Sequence, residues 1–298
     1  MKKTFRYVGY GLAILVLVVM GISFWAGENL TRAARSPQPP PPVDLGARSV
    51  DIFSENGRLS AWFISGEPSR GVVLLLHPLR SNKSAMLARA RFLKREGYSV
   101  FLVDMQAHGE SDGDRITFGY REAKDVTASI QKFRQLAPGE KMAALGVSLG
   151  AAAVVLSNPN SDLDAIILES MYPTIEEAIS DRLRIRFGGL APLLTPLLSI
   201  QLKPRFNISP SQLRPIEHMT SLRCPVMILH GTEDRHTTLA EAKRIYDAVD
   251  QPKEFHAFNG AAHVDLHAFD PRTYENKVGA FLARYLHNSG EVFGRANQ

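Results

Sequence analysis

Apolar and polar positions along the chain alternate between two periods, and the alternation is regular enough to predict its elements. Val50–Phe53 and Leu59–Ser65 read as strands around the turn signal Asn56-Gly57, an antiparallel opening hairpin. Strands follow at 72–77, 99–104, 141–147, 163–169, 225–230 and 253–258, the last by alternation from Phe255 to Phe258 and the others on largely apolar runs suited to burial on both faces. Helical spacing falls between them, near 82–96, 121–136, 149–157, 239–249 and 272–286. Strands alternating with helices predict an α/β fold, a mostly parallel eight-stranded sheet flanked by helices, over residues 47–290. After the sixth strand the pattern is interrupted from about 171 to 219. There the apolar stretch from Phe187 to Ile200 is broken by Pro192 and Pro196, which predicts a small helical cap.

Ahead of this domain the pattern changes character. Tyr7 to Gly27 carry no charge and include the unbroken apolar run from Leu12 to Met20. About twenty apolar residues span a bilayer, whereas the apolar region of a cleaved signal peptide is usually about 7–15. Residues 1–27 are therefore expected to be a transmembrane signal-anchor. Lys2, Lys3 and Arg6 precede the span; Arg32 and Arg35 follow it, offset by Glu28. That bias favours the N-terminus inside and the catalytic domain on the outer, extracytoplasmic side. Residues 28–46 read as a linker whose Ser36-Pro37-Gln38-Pro39-Pro40-Pro41-Pro42 predicts a polyproline II stalk, roughly 20 Å long at about 3.1 Å per residue.

Charge adds one exclusion. The chain of 298 residues has a formal net charge of +5, but residues 1–36 hold +4 of it. The basic balance thus reflects topology at a membrane, and no nucleic-acid partner is expected. Cys224, the single cysteine, cannot form an intrachain disulfide; just before a strand, it reads as a buried inert thiol.

Candidate chemistry sits at strand ends. Gly146-Val147-Ser148-Leu149-Gly150 lies where an apolar strand gives way to a small-residue helix. A serine on so sharp a turn needs neighbours without bulky side chains, and the two glycines meet that need. Beyond the strand at 225–230, His230-Gly231-Thr232-Glu233-Asp234 offers Asp234 as an orienting acid, with Glu233 and Glu169 as alternatives. Beyond the strand at 253–258, the small-residue loop Asn259-Gly260-Ala261-Ala262-His263 offers His263 as a general base, with His256 and His267 nearby. Serine, acid and histidine in this order suit nucleophilic acyl transfer. An oxyanion would be met by the backbone N–H groups of Leu149 and Leu79, because Pro78 has none. His77 reads as a brace for that loop.

Five segments carry a family resemblance: His77-Pro78, Val103 to Ser111, the turn at Ser148, His230 to Asp234, and Ala262-His263. With them the chain resembles the α/β-hydrolase superfamily, nearest its membrane-anchored serine hydrolases of the ABHD12/ABHD13/BEM46-like group. It departs from the family pattern at Pro78 and Ala262, where glycine is usual, which bears on the oxyanion loop more than on the triad. His108, in the turn after the fourth strand of the family, is expected to be structural. The resemblance implies a serine hydrolase that cleaves carboxylic esters or thioesters through an acyl-enzyme on Ser148. The apolar cap favours acyl or lipid-like substrates. An amidase or exopeptidase, or a binding module without catalysis, are the alternatives. Arg182, Arg184 and Arg186 suit either an anionic headgroup or a solvated helix face. Neither spacing nor glycine pattern implies a cofactor or a metal.

Overall fold

The computed structural model describes residues 2–159 and 162–287. Positions 288–290, the last of the expected domain, lie outside the described residues. In chain order the elements are α1 (Lys2–Thr31), β1 (Ala34–Arg35), β2 (Arg48–Ser54), β3 (Gly57–Ile64), β4 (Val72–Leu76), α2 (Leu87–Arg95), β5 (Ser99–Val103), β6 (His108–Gly109), α3 (Glu122–Leu136), β7 (Met142–Val147), α4 (Leu149–Leu156) and β8 (Ala165–Glu169). The cap helices α5 (Ile175–Phe187), α6 (Ala191–Ser199) and α7 (Leu202–Phe206) follow, then β9 (Val226–Gly231), α8 (Leu239–Asp247), β10 (Lys253–Phe258), α9 (Leu266–Phe269) and α10 (Pro271–Leu286).

Eight strands form one sheet in the order β10-β9-β8-β7-β4-β5-β3-β2. Neighbours from β10 to β5 run parallel, while β3 pairs antiparallel with both β5 and β2, so the sheet is mixed. The opening hairpin is the reason: a short turn at Asn56-Gly57 can only reverse the chain, whereas the later strands are joined by helical crossovers. Period two decides which face each side chain covers. On β4, Val72, Leu74 and Leu76 join the core shared with α3, α4 and α8. Val73 and Leu75 join the opposite core, with α2, α9 and α10. All five are fully buried, and each such burial is worth about 1.5–3 kcal/mol.

The N-terminal helix runs unbroken; its segment Ala13–Thr31 has a mean hydropathy of 1.8, and within that segment Gly27 and Thr31 alone are buried. It is long and apolar enough to cross a membrane or to act as a signal peptide. The expected stalk does not form as a stand-off. Arg80 Nη1 donates to the Asn29 and Arg32 carbonyls at 3.1 and 3.3 Å, a cation on the helix's carboxyl end. Ala34 and Arg35 then pair in parallel with His108 and Gly109, and Ile116 N–H donates to the Thr31 carbonyl at 2.8 Å. The Pro-rich run lies after this attachment and is itself held, since Ser84 Oγ donates to Gln38 Oε1 at 2.6 Å. Paired backbone groups and a held side chain keep this segment against the domain.

Candidate active site

Sharp turns at the carboxyl ends of parallel strands build the site. After β7 the chain enters α4 through Ser148, whose φ of 51° and ψ of −106° form a conformation costly for any residue with a Cβ. The flanking glycines are required by contact. A Cβ on Gly146 would lie 2.5 Å from the Ala151 nitrogen, and one on Gly150 would lie 2.5 Å from the Leu76 carbonyl oxygen. Ser148 N–H donates to the Glu169 carbonyl at 2.8 Å, which fixes the turn against β8.

Asp234 follows β9 and His263 follows β10, and the two side chains meet: His263 Nδ1 stands 2.6 Å from Asp234 Oδ2. The other carboxylate oxygen accepts the N–H groups of His236 and Thr237 at 2.8 and 3.0 Å. Burial opposes ionisation of Asp234, but the hydrogen bond and charge of His263, with the Thr237 N–H, outweigh it and hold the carboxyl below its ordinary value. Gly231 brings the loops together. A Cβ there would fall 2.3 Å from the Ala261 carbonyl oxygen, so only glycine lets the loop before His263 lie against β9. The Ser148 hydroxyl, at the same edge of the sheet and 3% exposed, makes no hydrogen bond to either side chain among the described residues. Such contacts commonly tighten only when substrate binds.

The alternatives take other places. Glu169 is buried and engaged by Arg89 Nη2 at 2.7 Å and the Tyr274 hydroxyl at 3.0 Å. Glu233 is exposed, and its N–H donates to the Ala261 carbonyl. His256 lies within β10, and His267 pairs with Glu275 at 3.0 Å. Sequence reasoning missed His236, whose ring centroid is 5.1 Å from that of His263. Burial and the neighbouring His263 charge lower its pKa. Its signal was only proximity to Asp234 in the chain. Asp234, His236 and His263 also bring three possible ligand atoms within 4.8 Å of one another. The carboxylate oxygen nearest His263 is already committed to that ring, so a cation there would compete with the pair.

Both anticipated oxyanion donors are free: neither Leu79 N–H nor Leu149 N–H reaches an acceptor among the described residues. Leu149 opens α4, where the helix leaves its first N–H groups unpaired. Leu79 is held by two buried histidines. His77 Nδ1 lies 2.8 Å from the Pro78 carbonyl while His77 Nε2 accepts the Met105 N–H at 3.2 Å. His108 Nδ1 lies 2.9 Å from the Gln106 carbonyl while its Nε2 accepts the Arg80 N–H at 3.1 Å. Each ring must therefore be neutral with its proton on Nδ1. A trans peptide sets C=O and N–H on opposite sides, so fixing the Pro78 carbonyl also aims the Leu79 N–H. Burial, with the neighbouring His108 ring and the Lys83 charge, brings His77 down to about 3, against the pull of the Pro78 carbonyl. Burial likewise lowers His108.

An open cleft of about 610 Å³ lies elsewhere, at the foot of α1, lined by Trp25, Glu28, Asn29, Arg32, Ala33, Asp114 and Arg115. Glu28 and Arg115 pair with each other there, and the lining holds none of the three candidate catalytic side chains.

Residues 67–215, half of the chain, match the profile of the hydrolase family described as serine aminopeptidase, S33. The chain belongs to this hydrolase family. YqkD of Bacillus subtilis is 19% identical over 228 residues, covering 75% of each chain. YfhR of Salmonella typhimurium is 24% identical over 251 residues, covering 82% of this chain and 83% of its own. Among solved structures, the esterase Pf2001 of Pyrococcus furiosus superposes with a TM-score of 0.73 at 21% identity, covering 86% of this chain and 98% of its own. That likeness shows the α/β-hydrolase fold for this S33 family member.

Proposed function

We propose that this chain is a membrane-anchored serine hydrolase that cleaves carboxylic esters or thioesters, with acyl or lipid-like substrates favoured. The 2.6 Å pairing of His263 with Asp234, on the sheet edge that carries the strained Ser148, is the observation behind this reading. His263 Nε2 takes the proton from Ser148 Oγ as that oxygen attacks the carbonyl carbon. The resulting oxyanion accepts the N–H groups of Leu149 and Leu79. His263 then returns the proton to the leaving oxygen or sulfur, and an acyl-enzyme remains on Ser148. Water, deprotonated by the same ring, releases the acid. Asp234 stays ionised throughout and holds the imidazole in one tautomer. In this reading α1 crosses the membrane with its N-terminus inside, and the catalytic domain lies on the outer side. The finer likeness to the ABHD12/ABHD13/BEM46-like group belongs to the same proposal.

The aminopeptidase description of the matched family favours a second reading, an amidase or exopeptidase acting through the same three side chains. One experiment separates the two: the full chain in detergent micelles is assayed on graded p-nitrophenyl acyl esters and on aminoacyl p-nitroanilides, beside Ser148→Ala. Serine-dependent ester turnover supports the first reading, and anilide turnover alone supports the second. Turnover that survives Ser148→Ala excludes both.

A further inference from the structure

The last turns of α1 carry a built contact with the cap. Ser23 Oγ donates to the Leu197 carbonyl at 2.9 Å, and Gln201 Nε2 donates to Ser23 Oγ at 2.8 Å and to the Ser23 carbonyl at 3.1 Å. Arg205 lays its guanidinium 4.0 Å from the centroid of the Phe24 ring, and donates to the Phe24 carbonyl at 2.6 Å and to Glu28 at 2.7 Å. Its side chain is only 11% exposed. Gly27 leaves room for the Gln201 amide in this seam, since any side chain there would push Gln201 Oε1 aside. Polar groups satisfied in this way suit an apolar surrounding, where an unpaired donor is costly.

Around this polar seam the exposed surface is apolar. Phe24 and Trp25 stand out from α1, and Leu190, Leu193 and Ile200 stand out from the cap, the last two more than 70% exposed. The stretch Ile175–Phe206 has a mean hydropathy of 1.3, high enough to mimic a second membrane span. It cannot cross as one helix, because Gly188 at a φ of 56° ends α5 and the chain restarts as α6. Broken helices with an apolar face and a basic rim, here the exposed Arg184, Arg186 and Lys203, suit the plane of an anionic lipid surface. The cap also leads to the chemistry: α5 brings Arg182 near enough to Asp234 to feel its charge.

We propose that α1 and the cap helices α6 and α7 form one lipid-facing unit, which seats the apolar face of α6 in the headgroup–acyl boundary of an anionic bilayer beside the exit of α1. The proposal rests on reading α1 as a membrane anchor. It makes the anchor part of the cap, so an acyl substrate dissolved in the bilayer meets the cap without first leaving the lipid.

Site-specific quenching tests this. The full chain is reconstituted in phosphatidylcholine vesicles with or without phosphatidylglycerol, the lipids brominated on their acyl chains. Leu193→Cys and Ile200→Cys carry an environment-sensitive fluorophore. Leu17→Cys reports on the anchor, and Glu96→Cys, at the opposite end of the sheet, reports background. Cys224 is buried and its thiol is pushed up to about 12, so it stays unlabelled. Quenching is expected at 193 and 200 as well as at 17, stronger with the anionic lipid, and not at 96. Quenching at 17 without 193 and 200 overturns the proposal and leaves the anchor reading standing; quenching at none of the three overturns both. Gly27→Leu, which drives a side chain into Gln201, is expected to abolish quenching at 193 and 200 and to keep it at 17. Unchanged quenching at 193 in that variant overturns the role given to the α1–cap seam.

Discussion

The rings of His77 and His108 stand 4.9 Å apart and hold the two sides of a single residue, Leu79, one through the Pro78 carbonyl and the other through the Arg80 N–H. Arg80 completes the turn at a φ of 58°. A loop with proline where glycine is usual thus gains its rigidity from two imidazoles.

His108→Ala removes the acceptor for Arg80 N–H and frees one side of Leu79. We expect kcat to fall by about 10- to 100-fold, because a displaced donor weakens transition-state stabilisation without being lost outright. KM should change little, and a loss confined to KM would mean that His108 shapes the substrate pocket instead.

Acid should loosen the fold through these rings. His77 titrates near 3 when folded against an ordinary 6.5, so between those values the unfolded chain binds the extra proton. Stability is then complete above about 6.5 and declines as pH falls toward 3. Thermal scans across this window should show Tm falling with acid. His77→Gln, which does not titrate, should flatten the slope, and an unchanged slope would remove His77 from the account.

Ser148→Ala and Ser148→Gly both delete the proposed nucleophile, and both should leave no measurable turnover. They should differ in stability. Alanine keeps a Cβ in the strained turn while glycine does not, a relief of about 1–3 kcal/mol partly offset by the greater freedom of glycine in the unfolded chain. The higher Tm is therefore expected for Ser148→Gly, and the reverse order would contradict the strain inferred at φ 51°.

Asp234→Asn keeps the acceptor for His236 and Thr237 but presents a neutral amide to His263. Turnover should fall by about 10²–10⁴, through the wrong tautomer and a less stable imidazolium. Glu169→Gln is the contrast. It leaves Arg89 with Asp265 as its one remaining carboxylate partner and should cost about 1–3 kcal/mol of stability. Its kcat, measured well below the lowered Tm, should stay near that of the parent, because among the described residues the Glu169 side chain is engaged by Arg89 and Tyr274 and makes no hydrogen bond to His263. A collapse of kcat in Glu169→Gln with Asp234→Asn near normal would reverse the choice of acid.

Much of this fold was legible because its central strands are covered on both faces. Runs such as Val72–Leu76 and the Ala165–Leu168 part of β8 must be continuously apolar, and the helices between them carry their own period. The strand at 253–258 lies where expected. The meeting of Asp234 with His263 was anticipated from their order after two strands, whereas the glycine that permits it, Gly231, was not singled out. Its role depends on Ala261, thirty residues on, and no local pattern carries that. The stalk was misjudged for a related reason. Proline tracts favour an extended spacer locally, but the partners of Ala34 and Arg35 are His108 and Gly109, more than seventy residues away. His236, beside His263, is likewise a product of loop packing.

The two-residue strand β1 therefore does more than close α1. It joins that helix to the backbone of His108, the residue whose ring holds Arg80 N–H beside Leu79. Under the proposed anchor reading, a tilt that the bilayer imposes on α1 reaches the proposed oxyanion loop through this short link, and membrane thickness becomes an input to the reaction rate.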